Sequence, residues 1–150
     1  PIQGRGLHHL VRATKFGFEL IDDSYNANPA SVSAALEVLS QVSVKSSGRR
    51  LAVLGDMLEL GHKSQALHLE LATKVIDKKI DLVYAVGLEM RHMFDALPSK
   101  KSGHWSETSD ELLGVLVSNL KNNDVVLVKG SLGARMGLIV NGLIKLGEKG

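Results

Sequence analysis

The feature that most constrains the fold is an alternation of short apolar runs with segments of helical periodicity. The runs fit strands buried on both faces, and they lie at 18–21, 51–54, 82–86 and 125–128. Between them, apolar residues recur every three or four positions, as in 32–42 and 67–76, which is typical of helices packed on a core. Buried strands that alternate with helices form a largely parallel sheet covered on both faces.

One more run, 7–14, precedes the first of these strands and is separated from it by a turn of three residues, 15–17. So short a connection predicts an antiparallel pair. We therefore expect a single α/β domain over residues 1–150. It is Rossmann-like, with a mostly parallel sheet of about six strands, helices on both faces and an antiparallel edge strand near the N-terminus.

A polar loop, DDSYNANP at residues 22–29, follows the run 18–21. Asn28 is a good helix N-cap and Pro29 suits the first helical position, so part of the loop is explained as a capped turn. Capping does not explain the polar residues ahead of it: Asp22, Asp23, Tyr25 and Asn26. Because open α/β sheets bind ligands at the carboxyl ends of their strands, a ligand-binding loop is favoured over a plain turn.

Two further strand ends carry polar residues toward the same edge of the sheet. GDMLELG at 55–61 supplies Asp56 and Glu59, which are candidates for an ammonium group or a metal-bound water, although plain surface residues remain an equal alternative. KGSLGAR at 129–135 supplies Lys129, Ser131 and Arg135 around a helix start. Free N–H groups at a helix start favour an anion, so this loop predicts an anionic ligand.

Composition excludes several classes of protein. The net charge of +2 and the scattered Lys and Arg residues argue against nucleic acid, and no apolar run reaches the length of a membrane span. No cysteine is present, and the six histidines lack zinc-ligand spacing, so we expect no metal site. No Gly-x-x-x-x-Gly-Lys-Ser/Thr phosphate loop occurs. A reducing cytoplasm suits this composition.

Three motifs in one register, DDSYNANP, LAVLGDMLELG and LVKGS, resemble the C-terminal domain of the Mur ligase family. The likeness covers essentially the whole chain and is strongest to members that add D-Ala-D-Ala to UDP-MurNAc-tripeptide. It implies a cytoplasmic bacterial enzyme of three domains that uses ATP and Mg²⁺, bound mainly by a central domain, to form an acyl phosphate. The chain begins with Pro1, which fits a piece of a longer protein that we expect to be inactive alone.

The resemblance also implies roles for individual residues. It places one set beside the nucleotide: Arg5, Asp22, Asp23, Tyr25, Asn26 and Asn28. It places a second set near the incoming amino substrate: Asp56, Lys129, Ser131 and Arg135. It implies no metal ligand within this domain and names no catalytic residue.

Two positions depart from the family pattern. Leu132 stands where a basic residue often follows Lys-Gly-Ser, and Gly137 stands where an acidic residue is frequent. The first departure weakens an anion site on that loop unless Arg135 takes a larger part. The alternatives are a non-catalytic Rossmann-like binding module of an unrelated enzyme and, less favoured, a response-regulator-like switch with Asp56 as phosphoacceptor.

Overall fold

The computed structural model describes residues 6–13 and 15–149 of the 150-residue chain. Six strands are present in this part of the chain: β1 (Leu7–Arg12), β2 (Gly17–Asp23), β3 (Arg50–Gly55), β4 (Leu82–Val86), β5 (Ser102–Ser106) and β6 (Val125–Lys129). Five α-helices connect or follow them: α1 (Pro29–Gln41), α2 (Ser64–Asp77), α3 (Arg91–Asp95), α4 (Ser109–Asn119) and α5 (Met136–Lys149). Within these residues no helix combines the length and the apolar character needed to cross a membrane.

The strands form one sheet in the order β1-β2-β6-β3-β4-β5. Only the pair β1 and β2 is antiparallel; the other neighbours are parallel. This confirms the predicted fold class, including the antiparallel edge strand. Since β6 is inserted between β2 and β3, the three strands that end in polar loops are immediate neighbours.

A separate apolar core lies on each face of the sheet. One contains α1, α2 and α3 and is built around Leu36, Leu71 and Met93. The other contains α4 and α5 and is built around Leu116 and Ile139. Successive residues of β6 enter opposite cores, which is why all five of its side chains are buried and why its sequence is continuously apolar until Lys129.

The four methionines, Met57, Met90, Met93 and Met136, are all fully buried or nearly so. Met136 is the first residue of α5, and its side chain fills the space above two strand-end glycines. A Cβ built at Gly55 or at Gly130 would lie 2.6 Å or 2.4 Å from Met136 side-chain atoms. Glycine is therefore needed at both strand ends to let α5 approach the sheet.

Local chemistry sets the start of α1 as the sequence predicted. Asn28 is the N-cap, and its Oδ1 accepts a hydrogen bond from Ser31 N at 2.9 Å while Ser31 Oγ accepts one from Asn28 N at 3.0 Å. Pro29 occupies the first turn. This reciprocal capping box satisfies two backbone donors that would otherwise lack a partner.

One strand was not foreseen. β5 has the sequence SGHWS, without an apolar run, and lies at the edge of the sheet beside β4. Gly103 is required there because a Cβ would meet the Tyr84 ring at 2.7 Å. The predicted strand 7–14 is also shorter than expected, since β1 ends at Arg12.

At the end of the sheet where the parallel strands begin, a buried ion pair joins two of the strand entries. Asp124 accepts hydrogen bonds from Arg49 Nε at 2.9 Å, from Arg49 Nη2 at 2.8 Å and from Lys121 N at 2.8 Å. Arg49 Nη2 also donates to the Asn119 carbonyl at 2.9 Å. The pair thus connects the entry to β3 with the entry to β6 and the end of α4.

Candidate functional site

The carboxyl ends of the parallel strands meet at one edge of the sheet. In the strand register Asp23 is opposite Lys129, Lys129 is opposite Leu54, and Gly55 is opposite Val86. The β2–α1, β6–α5, β3–α2 and β4–α3 loops therefore lie side by side. The three polar loops predicted from the sequence to share one edge of the sheet do so.

In the β2–α1 loop, Asp22 points inward. Its side chain is 1% exposed, and Oδ1 accepts hydrogen bonds from Ser24 N at 3.1 Å and from Ser24 Oγ at 2.6 Å. Such a bond to the backbone two residues ahead closes the turn. Asp22 therefore organises the loop from within, and its contact with a nucleotide stays a prediction.

Three polar residues of this loop are open to solvent. Tyr25, Asn26 and Asn28 are exposed. Asn26 Oδ1 accepts a hydrogen bond from Ala27 N at 2.8 Å, and Asn28 Oδ1 is engaged in the cap of α1. Tyr25 thus presents an accessible ring, and both asparagines retain side-chain N–H groups that can donate to a ligand. Arg5, the remaining predicted nucleotide contact, lies outside the described residues.

Asp23 and Lys129 form an ion pair, with Lys129 Nζ 3.2 Å from Asp23 Oδ2. Lys129 is 5% exposed and Asp23 is half-buried. The sequence placed these two residues in separate ligand sets, one for the nucleotide and one for the amino substrate. In the structure they belong to one charged pair between β2 and β6, so the positive charge of Lys129 is already balanced by the protein.

The β6–α5 loop exposes Arg135. Ser131 is buried, and its Oγ accepts a hydrogen bond from Ala134 N at 3.1 Å, which closes a short turn at 132–134. Arg135 follows with φ 56° and ψ 40°, the left-handed region. A non-glycine residue there costs on the order of 1 kcal/mol. Its exposed guanidinium has no ion-pair partner among the described residues.

Asp56, at the end of β3, holds the neighbouring β4–α3 loop. Its Oδ1 accepts a hydrogen bond from Met90 N at 2.7 Å and its Oδ2 accepts a longer one from Glu89 N at 3.4 Å. Burial raises the pKa of the Asp56 carboxyl above its ordinary value, and the two backbone N–H groups oppose that rise. Gly87 has φ +107° and leaves room for the carboxylate.

Asp56 and Arg135 line one cleft of about 460 Å³ between the ends of β3, β4 and β5. Three further acidic residues, Glu89, Glu107 and Asp110, also line it. The cleft therefore has an arginine and several carboxylates within one small space. That arrangement suits a small zwitterion, whose carboxylate an arginine binds in a bidentate manner and whose ammonium a carboxylate attracts.

Sequence reasoning missed the three acidic residues at 89, 107 and 110. Glu89 follows the strand-then-glycine pattern of β4 and could have been found from it, because the same pattern led to Asp56. Glu107 and Asp110 flank Thr108, whose Oγ1 accepts from Glu111 N as the N-cap of α4. They follow β5, the strand with no apolar run, so nothing in the sequence indicated that a strand end precedes them.

Among residues 6–13 and 15–149, no three His, Asp or Glu side chains are grouped so as to hold a metal ion.

The sheet is open and mostly parallel, and its polar loops lie at the carboxyl ends of adjacent strands. These features define a Rossmann-like α/β domain. The chain belongs to the Mur ligase family: a family profile described as "Mur ligase, glutamate ligase domain" matches residues 9–132.

Relatives of known name agree with this assignment. The chain is 37% identical, over 81% of its length, to UDP-N-acetylmuramoyl-tripeptide–D-alanyl-D-alanine ligase of Rickettsia prowazekii. It is 32% identical, over 93% of its length, to the ligase of the same name from Bacillus subtilis. It covers 26% and 31% of these two proteins, so it spans between a quarter and a third of the relatives' length.

A solved structure extends the likeness to the fold. The crystal structure of MurF ligase from Thermotoga maritima in complex with ADP matches with a TM-score of 0.80 at 28% identity. The match covers 99% of this chain and 32% of that one. The identification of the chain with the Mur ligase family, made from three motifs, is confirmed.

Proposed function

We propose that the chain is the C-terminal domain of an ATP-dependent amide ligase that joins D-Ala-D-Ala to UDP-MurNAc-tripeptide during peptidoglycan precursor synthesis. The observation that carries the proposal is the similarity, over most of the chain, to ligases whose name states this reaction. The cleft that contains Arg135 and the acidic residues supports it, because its charges complement a zwitterionic dipeptide.

The proposed reaction has two steps. ATP transfers its γ-phosphoryl group to the tripeptide carboxylate, giving an acyl phosphate and ADP. The neutral amine of D-Ala-D-Ala then attacks the acyl carbon, and the tetrahedral intermediate loses inorganic phosphate to form the amide while the nitrogen gives up a proton. This domain would bind the dipeptide and exclude water from the acyl phosphate.

Within the cleft, Arg135 would bind the dipeptide carboxylate. The acidic wall would hold the ammonium group and accept its proton, since an amine must be neutral to attack. Asp56 suits this environment because burial raises the pKa of its carboxyl toward the working pH. Lys129 would act through Asp23, and Ser131 through the turn that presents Arg135.

The β2–α1 loop would face the nucleotide. Tyr25, Asn26 and Asn28 are the exposed groups there, and Asp23 stands beside them on β2. Asp22 would contribute by fixing the loop, and Arg5 belongs to the same proposed set. The phosphate loop and the Mg²⁺ ligands would come from a central domain outside this chain, with the UDP-sugar held by a third domain. Since it would use ATP and a nucleotide-linked precursor, the proposed reaction would take place in the bacterial cytoplasm.

The direct test is ATP-dependent phosphate release by the full-length natural protein that contains this segment. UDP-MurNAc-tripeptide is present throughout, with D-Ala-D-Ala, with L-Ala-L-Ala or with no dipeptide. Release that requires D-Ala-D-Ala is the expected result. A folded full-length protein whose phosphate release is indifferent to D-Ala-D-Ala would contradict the proposal.

A further inference from the structure

We propose that His68 is a positioning residue of the candidate site: its imidazole holds the β3–α2 loop, residues 56–60, as a fixed wall of the cleft. His68 lies one turn into α2 and is completely buried. From the sequence it was one of six histidines with no assigned purpose. In the structure both ring nitrogens are engaged, Nε2 with Met57 and Nδ1 with Ser64.

The partners define which ring nitrogen carries the proton. His68 Nε2 is 3.0 Å from Met57 N, and a backbone N–H can only donate, so Nε2 is unprotonated and accepts. Nδ1 is 2.8 Å from the Ser64 carbonyl oxygen, which can only accept, so Nδ1 carries the proton and donates. The neutral ring in this one tautomer links the first turn of α2 to the β3–α2 loop.

The same turn of α2 also holds the next loop. Ser64 Oγ donates its single proton to Glu89 Oε1 at 2.6 Å. Its 3.2 Å contact with His68 Nδ1 therefore has the ring as donor, in agreement with the assigned tautomer. Two loops that line the cleft, one carrying Met57 and one carrying Glu89, are thus anchored on one helical turn.

The position of Leu58 links this loop to the turn that precedes Arg135. Leu58 comes directly after the Met57 N–H that His68 binds, and it packs on the β6–α5 loop. A Cβ built at Gly133 would lie 2.4 Å from Leu58 Cδ1, so the leucine occupies the space that this glycine leaves open. His68 therefore acts on the turn that presents Arg135 through Met57, Leu58 and Gly133.

Hydrogen exchange of residues 56–60 in the full-length protein tests the anchoring. His68→Asn keeps an amide near Nδ1 for the Ser64 carbonyl but has no group that reaches Met57. His68→Gln places its amide oxygen near the position of Nε2 and can still accept from Met57 N. We expect His68→Asn to speed exchange in this loop on the order of tenfold and His68→Gln to retain protection.

Val75→Ala is the matched control for loss of stability, because Val75 is equally buried on α2 but far along the helix from the loop. It should lower the melting temperature and leave exchange of 56–60 unchanged. If His68→Asn behaves like Val75→Ala, or if His68→Gln frees the loop as fully as His68→Asn, the proposal is overturned. The ¹⁵N chemical shifts of the His68 ring in the wild-type protein should show that Nδ1 is protonated and Nε2 is unprotonated.

Kinetics give the consequence for the site, and this part rests on the proposed function. His68→Asn should raise the KM for D-Ala-D-Ala on the order of tenfold with a smaller change in kcat, and His68→Gln should restore it. If hydrogen exchange of the loop follows the prediction but phosphate release does not depend on D-Ala-D-Ala, the proposed function alone is overturned. If hydrogen exchange contradicts the prediction, the role of His68 is overturned, whatever the substrate is.

Discussion

Arg135 combines an unfavourable backbone conformation with the exposed positive charge of the cleft. We predict that Arg135→Ala in the full-length protein raises the KM for D-Ala-D-Ala by about 10-fold to 100-fold, since a charge-assisted hydrogen bond contributes about 1.5–3 kcal/mol. Steady-state phosphate release at varied dipeptide concentration measures this. The KM for ATP should stay close to the wild-type value, because the β2–α1 loop is untouched.

Arg135→Gly separates the two properties of this residue. It removes the charge as alanine does, but glycine adopts the left-handed conformation without strain. Its melting temperature should therefore equal or exceed that of the wild type, whereas its KM should rise as much as in Arg135→Ala. Dipeptide kinetics unchanged in both variants would remove Arg135 from the substrate site.

Asp56 makes stability depend on pH in a defined direction. Burial raises the pKa of its carboxyl in the folded state above that of an unfolded aspartate, about 3.9. The folded state then binds the proton more tightly, so this residue lowers stability as pH rises through the interval between the two pKa values. The cost is absent below the interval and complete above it.

Asp56→Asn cannot titrate and keeps an oxygen that can accept from Met90 N. We therefore predict that the melting temperature of the wild type falls relative to that of Asp56→Asn as pH rises through this interval. Thermal unfolding of both proteins across acidic and neutral pH measures the difference. A wild type that gains relative stability over the same interval would show that the backbone hydrogen bonds outweigh burial.

Residue identity predicted some of the site and not the rest. Asn28 and Pro29 were assignable because capping depends on a few neighbouring residues. The hydrogen bonds of Asp22 to Ser24 were not anticipated. The pairing of Asp23 with Lys129 was not assignable, because it joins residues far apart in sequence. The cap of α1 and the common position of the three polar loops were predictable, whereas side-chain contacts between strands were not.

At the scale of elements, the apolar runs predicted every buried strand, since a strand covered on both faces needs apolar residues throughout. β5 has only one neighbouring strand, β4, and its one large apolar side chain is Trp105. Trp105 donates from Nε1 to the Gly87 carbonyl at 2.7 Å and lies under the Arg91 guanidinium at 4.5 Å. Such an edge strand depends on tertiary contacts that periodicity does not report.

The ion pair of Arg49 with Asp124 joins three elements, and its loss should be costly. We predict that Asp124→Ala destabilises the fold by about 3 kcal/mol, because it leaves a half-buried guanidinium and the Lys121 N–H without their acceptor. Urea unfolding measures the change.

Asp95→Ala is the control for this prediction. Asp95 pairs with Arg91 one helical turn away at the surface of α3, and such an exposed pair contributes less than about 1 kcal/mol. If the two variants lose similar stability, the ion pair of Arg49 with Asp124 contributes no more to stability than an exposed pair does.

On the scale of the whole molecule, three of the five exposed leucines among the described residues lie in loops beside the candidate site. Leu58, Leu88 and Leu132 are all solvent-exposed, and each belongs to a loop at the carboxyl edge of the sheet. The chain spans under a third of its relatives' length. Under the proposed function, an ATPase domain outside this chain would cover these side chains, and we expect them to contact that domain when the enzyme closes.

Leu132→Glu in the full-length protein should therefore lower kcat/KM about tenfold or more, as placing a charge in an apolar contact is unfavourable, while the melting temperature changes little. Ile76→Glu is the matched control: Ile76 is also exposed but lies at the far end of α2, toward the opposite edge of the sheet. Equal effects of the two substitutions would argue against a contact at Leu132.

The fold class and the protein family were predictable from the sequence, because they depend on the order of elements and on motifs of several residues. The cleft was not, because its lining comes from four loops, one of them after the unforeseen β5. Asp56 and Arg135 could be named as candidates, but their placement in one cleft follows only from the strand order.

The burial of all four methionines has a consequence for oxidative chemistry. The chain has no cysteine, so its entire sulfur content is thioether and is enclosed in the two cores. A sulfoxide at any of these positions would bring a polar group into tightly packed apolar surroundings. Peroxide should therefore oxidise these methionines only when the fold opens. The rate of methionine oxidation then reports how often the protein unfolds.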